Sequence, residues 1–155
     1  MSDHILERRI TIEAAPAAVW DVIHDLRRMA EWSPQVTSTR LREGFDHVGP
    51  GARFTNRNQH GELAWTTHGE VVRFAVEREI AFRIEENWAI WSFQLAAEPG
   101  GTTLTQRRET PDGISPFSRD LTDTYLGGRE AFDDLMLEGM AQTLVGIERA
   151  VTGSR

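Results

Sequence analysis

From Phe132 to Val151 the apolar residues Phe132, Leu135, Met136, Met140, Leu144, Ile147 and Val151 recur at intervals of three and four. That spacing predicts one amphipathic helix of about 24 residues, roughly 35 Å long at about 1.5 Å per residue. A long helix with one apolar side must bury that side against something. What covers it constrains the fold of this chain more than any other feature.

The cover comes from the preceding residues. Strand-like runs follow one another at Gln35–Glu43, Ala52–His60, Leu63–Ala75, Glu79–Glu85, Trp88–Ala97 and Thr102–Glu109, with "VGPG", "HG" and "PGG" as the clearest punctuation. Short connections of this kind predict an antiparallel meander. Ahead of it, His4–Glu13 reads as a first strand with Leu6, Ile10 and Ile12 in step. "AAPAAVWDVIHDL" reads as a helix, because Pro16 suits a first turn and Val19, Trp20, Ile23 and Leu26 keep helical spacing. "RRMAEW" reads as a second short helix that ends before Pro34, and "PDGISPFSRDL" as a loop. The expectation is an α+β fold forming a single domain over residues 1–155. A curved seven-stranded antiparallel sheet wraps around the long C-terminal helix, with two short helices between the first two strands. A straight helix against a curved sheet leaves a gap, so an internal cavity is expected.

Composition narrows the function. A hydrophobic content of 39% with 26% charged residues fits a globular chain rather than a disordered one. The net charge of −7 excludes nucleic-acid backbone as the expected partner, since that needs a basic surface. The chain has no cysteine, which removes disulfides and thiolate chemistry. "MSDHILERRI" has no long apolar run, so neither a signal peptide nor a membrane span is expected and the cytoplasm is the default location. His4, His24, His47, His60 and His68 form no pair at metal-ligand spacing, and "EPGGTT" joins two strands as a hairpin turn rather than a phosphate loop. No metal and no cofactor are expected. His24, near the end of the first helix, suits a helix C-terminus. Asp134 and Glu138 read as a solvated face of the long helix.

The stretch "FTNRNQH", Phe54–His60, carries the most information about the interior. It lies where a strand should be, yet neither face is apolar throughout. Side chains alternate across a strand, and the neighbouring runs turn Trp65 and Val71, Phe82 and Ile84, and Trp91, Phe93 and Leu95 to one side. The same parity turns Phe54 inward together with Asn56 and Asn58, and Leu104 inward together with Gln106 and Arg108. A one-residue bulge would instead turn Arg57 and Gln59 inward, which suits a dry core no better. Buried amides and a buried guanidinium cost on the order of 1–3 kcal/mol per unsatisfied group, so they point to a cavity that holds water or a polar ligand. By the same alternation Thr67 faces in and His68 faces out, unless a bulge at Gly69 turns it. Phe132, Met136, Met140 and Thr143 follow the buried stripe of the long helix.

The order of elements, together with "IEAAPAAVWDVIHDL", "EWSPQV", "VGPGARFTNRNQHGELAWTTHGEVV", "IWSFQL", "GGTTLTQRRE" and "GMAQTLVGIERAV", resembles the START-like helix-grip superfamily, in particular its bacterial polyketide cyclase/dehydrase-like members. The resemblance implies a cavity for a hydrophobic, aromatic or polycyclic small molecule, walled by Phe54, Trp65, Phe82, Trp91 and Phe93. Asn56, Asn58, Thr67, Gln106 and Arg108 would orient the ligand. If the chain is an enzyme, the resemblance implies aldol-type cyclisation and dehydration, with Arg108 stabilising an enolate and Asn58 assisting. His68 and Glu70 would be fallback bases, each needing a bulge to face inward. A non-catalytic carrier or sensor is the alternative, and a partner-regulating protein a third. Oligomeric expectation is monomer or homodimer.

Overall fold

The computed structural model describes residues 5–113 and 129–153. Strand β1 (Ile5–Ile12) leads into helix α1 (Pro16–Ile23) and a 3-10 helix at Leu26–Glu31. There follow β2 (Val36–Leu41), β3 (Arg53–His60), β4 (Leu63–Ala75), β5 (Glu79–Ile84), β6 (Ile90–Glu98), β7 (Gly101–Glu109) and helix α2 (Arg129–Thr152). The strands form one antiparallel sheet of seven in the order β1-β7-β6-β5-β4-β3-β2. A meander therefore runs from β2 to β7, and β1 pairs with the last strand. The α+β helix-grip arrangement expected from the sequence is present.

Local chemistry explains the boundaries. Pro16 opens α1, whose N-cap Ala15 has extended backbone and no side-chain cap bond. The helix stops at His24, where Nδ1 donates to the Trp20 carbonyl at 2.8 Å and the ring stacks on Trp20 at 5.7 Å. The next element is 3-10 rather than α. Leu26, Met29 and Trp32 are three apart, the spacing that aligns side chains on one face of a 3-10 helix, and all three are buried. Asp25 caps it by accepting from the Arg27 backbone N–H at 3.1 Å. Partial burial pushes the Asp25 carboxyl up, but the hydrogen bonds from Arg27 outweigh it and hold it below the usual carboxylate range. Trp32 is thereby fixed at the end of a capped, half-buried turn.

Two sequence expectations shift. Trp88 lies not in a strand but in the turn before β6, at φ 65°, with its N–H donating to the Ile84 carbonyl at 2.8 Å. Of the loop expected over residues 111–121, positions 114–121 lie outside the described residues. The bulge considered at Gly69 falls further along β4, between Val71 and Arg73. There Val71 points in, Val72 is exposed, and Phe74 returns to the core edge-on to Trp20 at 5.2 Å. A second irregularity at Val36/Ser38 bends β2.

The sheet closes on α2 in two different ways. Towards the C-terminal half of the helix the space is filled by Ile12, Ile23, Leu95, Leu104, Leu144 and Ile147. Gly146 brings α2 against the end of the 3-10 helix, since a Cβ there would sit 2.7 Å from the Trp32 carbonyl oxygen. Towards the N-terminal half, the sheet and helix do not meet, and a cavity opens. No helix among the described residues is long and apolar enough to cross a membrane.

Candidate functional site

The cavity has a volume of about 360 Å³, within the usual range for small-molecule sites. Its position follows from side-chain alternation along β6 and β7. Leu95 and Leu104 face each other in the solid core, Phe93 and Gln106 form the next inward pair, and Trp91 and Arg108 the one after. The wall therefore passes from aliphatic to aromatic and polar within a few residues. Phe132, Met136, Met140 and Thr143 of α2 close the opposite side. Thr143 is self-satisfied, donating to the Gly139 carbonyl at 2.8 Å.

The question posed by "FTNRNQH" has a direct answer. Asn56 and Asn58 are both buried and both line the cavity, so the regular parity holds across β3. Their hydrogen bonds, however, are made within the sheet. Asn56 Oδ1 accepts from Thr39 Oγ1 at 2.6 Å, and its amide nitrogen lies 3.7 Å from Met29 Sδ. Asn58 Nδ2 donates to Thr67 Oγ1 at 3.1 Å and to the Trp65 carbonyl at 3.4 Å. The expectation that water or ligand must supply these bonds is corrected for the Asn56 amide oxygen and the Asn58 amide nitrogen, whose partners come from the neighbouring strands. Asn56→Leu should cost about 1–2 kcal/mol, because the Thr39 hydroxyl is left buried without its acceptor. Adding Thr39→Val should recover most of that loss in urea denaturation. If the single variant is as stable as wild type, the Thr39–Asn56 bond contributes nothing.

Among the described residues Arg108 is the most deeply placed charge, at 3% exposure. Its guanidinium carbon lies 5.0 Å from the Phe132 ring and 5.9 Å from the Trp91 ring, within cation–π range of both. Both aromatic rings contribute to holding the guanidinium in the wall.

Other sequence-predicted residues sort by face. Trp65, Thr67, Phe82, Trp91, Phe93, Gln106 and Arg108 line the cavity. Phe54 does not. It is fully buried behind the wall, edge-on to Phe82 at 5.3 Å and directly over Gly69. The fallback bases are corrected too, because the β4 bulge lies beyond them and neither turns inward. Glu70 is near Arg53 at 3.6 Å, and neither His68 nor Glu70 lines the cavity. His68 Nδ1 instead pairs with Glu86 Oε2 at 2.5 Å, and the His68 backbone N–H donates to Glu86 Oε1 at 2.7 Å. Glu86 does line the cavity.

Several wall residues escaped the sequence reading, Glu86, Met29 and Trp32 among them. Glu86 sits in a turn whose position depends on the positive φ of Trp88, and no local pattern signals it. Met29 and Trp32 could have been found, since the three-residue spacing Leu26–Met29–Trp32 marks one apolar 3-10 face.

The comparisons agree with this geometry. Residues 3–144 match the family model described as polyketide cyclase / dehydrase and lipid transport. No curated protein matches the chain. Among solved structures, the Polyketide_cyc-like protein Cgl2372 from Corynebacterium glutamicum is 25% identical, with TM-score 0.65 over 97% of this chain and 93% of that one. The Zhui aromatase/cyclase from a Streptomyces species is 13% identical, with TM-score 0.76 over 97% and 94%. Major latex-like protein 151 from Panax ginseng is 11% identical, with TM-score 0.72 over 96% and 97%. The latter two likenesses concern the fold. With a family model matched over nearly its whole length and the cavity between sheet and helix in place, the chain belongs to the polyketide cyclase / dehydrase and lipid transport family.

Proposed function

We propose that this chain binds a hydrophobic, aromatic or polycyclic small molecule in the cavity between the sheet and α2. The observation that carries this reading is an interior space of about 360 Å³ whose walls include Trp32, Trp65, Phe82, Trp91 and Phe93. Flat rings grip a flat apolar ligand through area and dispersion, and a few polar groups fix its orientation. Asn58, Gln106 and Arg108, which line the cavity, would supply those polar groups.

The test uses the tryptophans themselves. Because Trp32, Trp65 and Trp91 line the cavity, polycyclic aromatics should quench intrinsic fluorescence saturably, at one molecule per chain. A broad panel of apolar compounds giving only linear, unsaturable quenching would remove the binding reading.

A second reading, catalysis of an aldol-type cyclisation and dehydration, is favoured by one specific feature: a buried guanidinium set in an apolar wall. A fixed cation in a water-poor site stabilises negative charge developing on a carbonyl oxygen far better than it would in water. The wall carboxylate is Glu86, and its bond to His68 would orient it as a base. The binding reading stands first because it needs only the cavity, whereas catalysis also needs a general base in the wall. Turnover of a linear poly-β-ketone model compound, lost in Arg108→Leu, separates the enzyme from the non-catalytic carrier or sensor.

A further inference from the structure

Close approach explains Gly69 and Gly146: a Cβ would strike the Phe54 ring at the first and the Trp32 carbonyl at the second. Gly139 has no such explanation. It stands near the middle of α2, where glycine is the least favourable residue after proline. Its backbone angles are not in the left-handed region, so they do not require it. Beyond the helix's own backbone and its chain neighbours, no atom of the described residues lies within 4 Å of where its Cβ would be. Gly139 lines the cavity and is only partly buried, so it still presents surface there.

Helix geometry gives the direction of that open space. Positions three and four apart share a helix face, so a Cβ at 139 would stand between Met136 and Thr143, both cavity wall. The Thr143 hydroxyl donates to the Gly139 carbonyl at 2.8 Å, so that oxygen is already served. What remains at this point of the wall is a bare strip of peptide backbone with a thioether beside it. Such a strip suits the face of an apolar planar ring, which asks for no hydrogen bond and gains dispersion over its whole area. Sulfur next to an aromatic ring adds a favourable contact, and Met136 is only partly buried, as a wall residue in contact with a ligand must be.

We propose that Gly139 is the wall position that sets how wide a ligand the cavity takes, and that the bound molecule lays the face of a fused aromatic ring on the bare backbone of α2 beside Met136. This assignment rests on the cavity being a ligand site. It adds which wall receives the ring face and which residue limits the size of the ring system. Any side chain at position 139 would enter the space the ring occupies, yet would restore the helix preference that glycine forfeits. Fold and ligand therefore make opposite demands on this one residue, and substitution should move stability and affinity in opposite directions.

Thermal melts and fluorescence titration of the full chain with naphthalene, phenanthrene and pyrene test it. Wild type should bind all three. Gly139→Ala should melt about 2–4 °C above wild type, the gain expected when alanine replaces glycine inside a helix of a domain this size. Its pyrene affinity should fall at least about tenfold, the effect of one excess methyl group in a fitted apolar pocket, while naphthalene binding is nearly unchanged. Gly139→Leu should lose pyrene altogether and keep naphthalene. If Gly139→Ala fails to melt above wild type, the space at position 139 is not free and the proposal falls. If both variants keep the wild-type ratio of pyrene to naphthalene affinity, the ring does not lie at Gly139, and the proposal falls while binding in the cavity stands. A wild type that takes naphthalene but not pyrene overturns it as well, because the width is then limited elsewhere. If none of the three binds, the cavity reading falls and this assignment with it.

Discussion

Leu144→Asp is expected to leave essentially no folded protein at neutral pH. Leu144 is 2% exposed and belongs to the cluster in which α2 meets α1, β1 and the inner face of the sheet. A carboxylate there has no cation to pair with inside the cluster and no route to water. Burying it costs more than about 4 kcal/mol, set against a total stability of about 5–15 kcal/mol for a domain of ordinary size. Leu144→Met is the control, since a volume-conserving apolar exchange costs less than about 1.5 kcal/mol. Circular dichroism and urea denaturation of the two variants suffice. A Leu144→Asp protein that melts like wild type would mean that α2 does not seal the core.

Gly69→Ala should be the next most damaging change, although it adds only a methyl group. An ideal Cβ at Gly69 would lie 2.4, 2.8 and 2.9 Å from three ring carbons of Phe54. The glycine is not needed for its backbone angles, because it has none in the left-handed region. It is needed for space: Phe54, its partner across β3 and β4, lays its ring over the bare backbone. Phe54 cannot retreat, being fully buried and edge-on to Phe82. Either β3 and β4 separate or the ring is driven into the cavity wall, and such overpacking costs about 3 kcal/mol. Phe54→Leu in the Gly69→Ala background should recover part of the loss, because the shorter side chain vacates the methyl's position. The decisive quantity is the coupling in a double-mutant cycle read by urea denaturation. Strictly additive effects would mean that the ring and the glycine do not share that space.

Both variants also bear on the site. Phe54 is the layer behind Phe82, and Phe82 is wall. Displacing one should alter the cavity even where the fold survives, so any ligand titration of Gly69→Ala reports on wall geometry rather than on a lost contact.

Much of this architecture was legible in one dimension. Period-two alternation placed Asn56, Asn58, Thr67, Gln106 and Arg108 on the inner face, and the three-and-four spacing of α2 marked Leu144 and Ile147 as buried. Those assignments depend only on which way successive side chains point, a property that each element carries within itself. The seven-stranded sheet around a long helix followed because one apolar helix face and one apolar sheet face have little else to bury against.

The tertiary structure alone decided which groups meet. Sequence gave no means of knowing that Asn56 would find Thr39, seventeen positions away, because that depends on the register of β2 against β3 after a bulge. It could not foresee that His68 would be held by Glu86 rather than turned inward, since a turn with Trp88 at positive φ brings that carboxylate back along β4. Phe54 reads as cavity wall by parity, yet Gly69 opposite it lets the ring sink behind Phe82. Trp32 and Gln106 lie far apart in the chain and both come beside Phe93 only because the 3-10 helix, Gly146 of α2 and the β6–β7 register converge there. Direction is local and is written in the period of the sequence; partnership depends on register, bulges and close approach between distant segments, and exists only once the chain has folded.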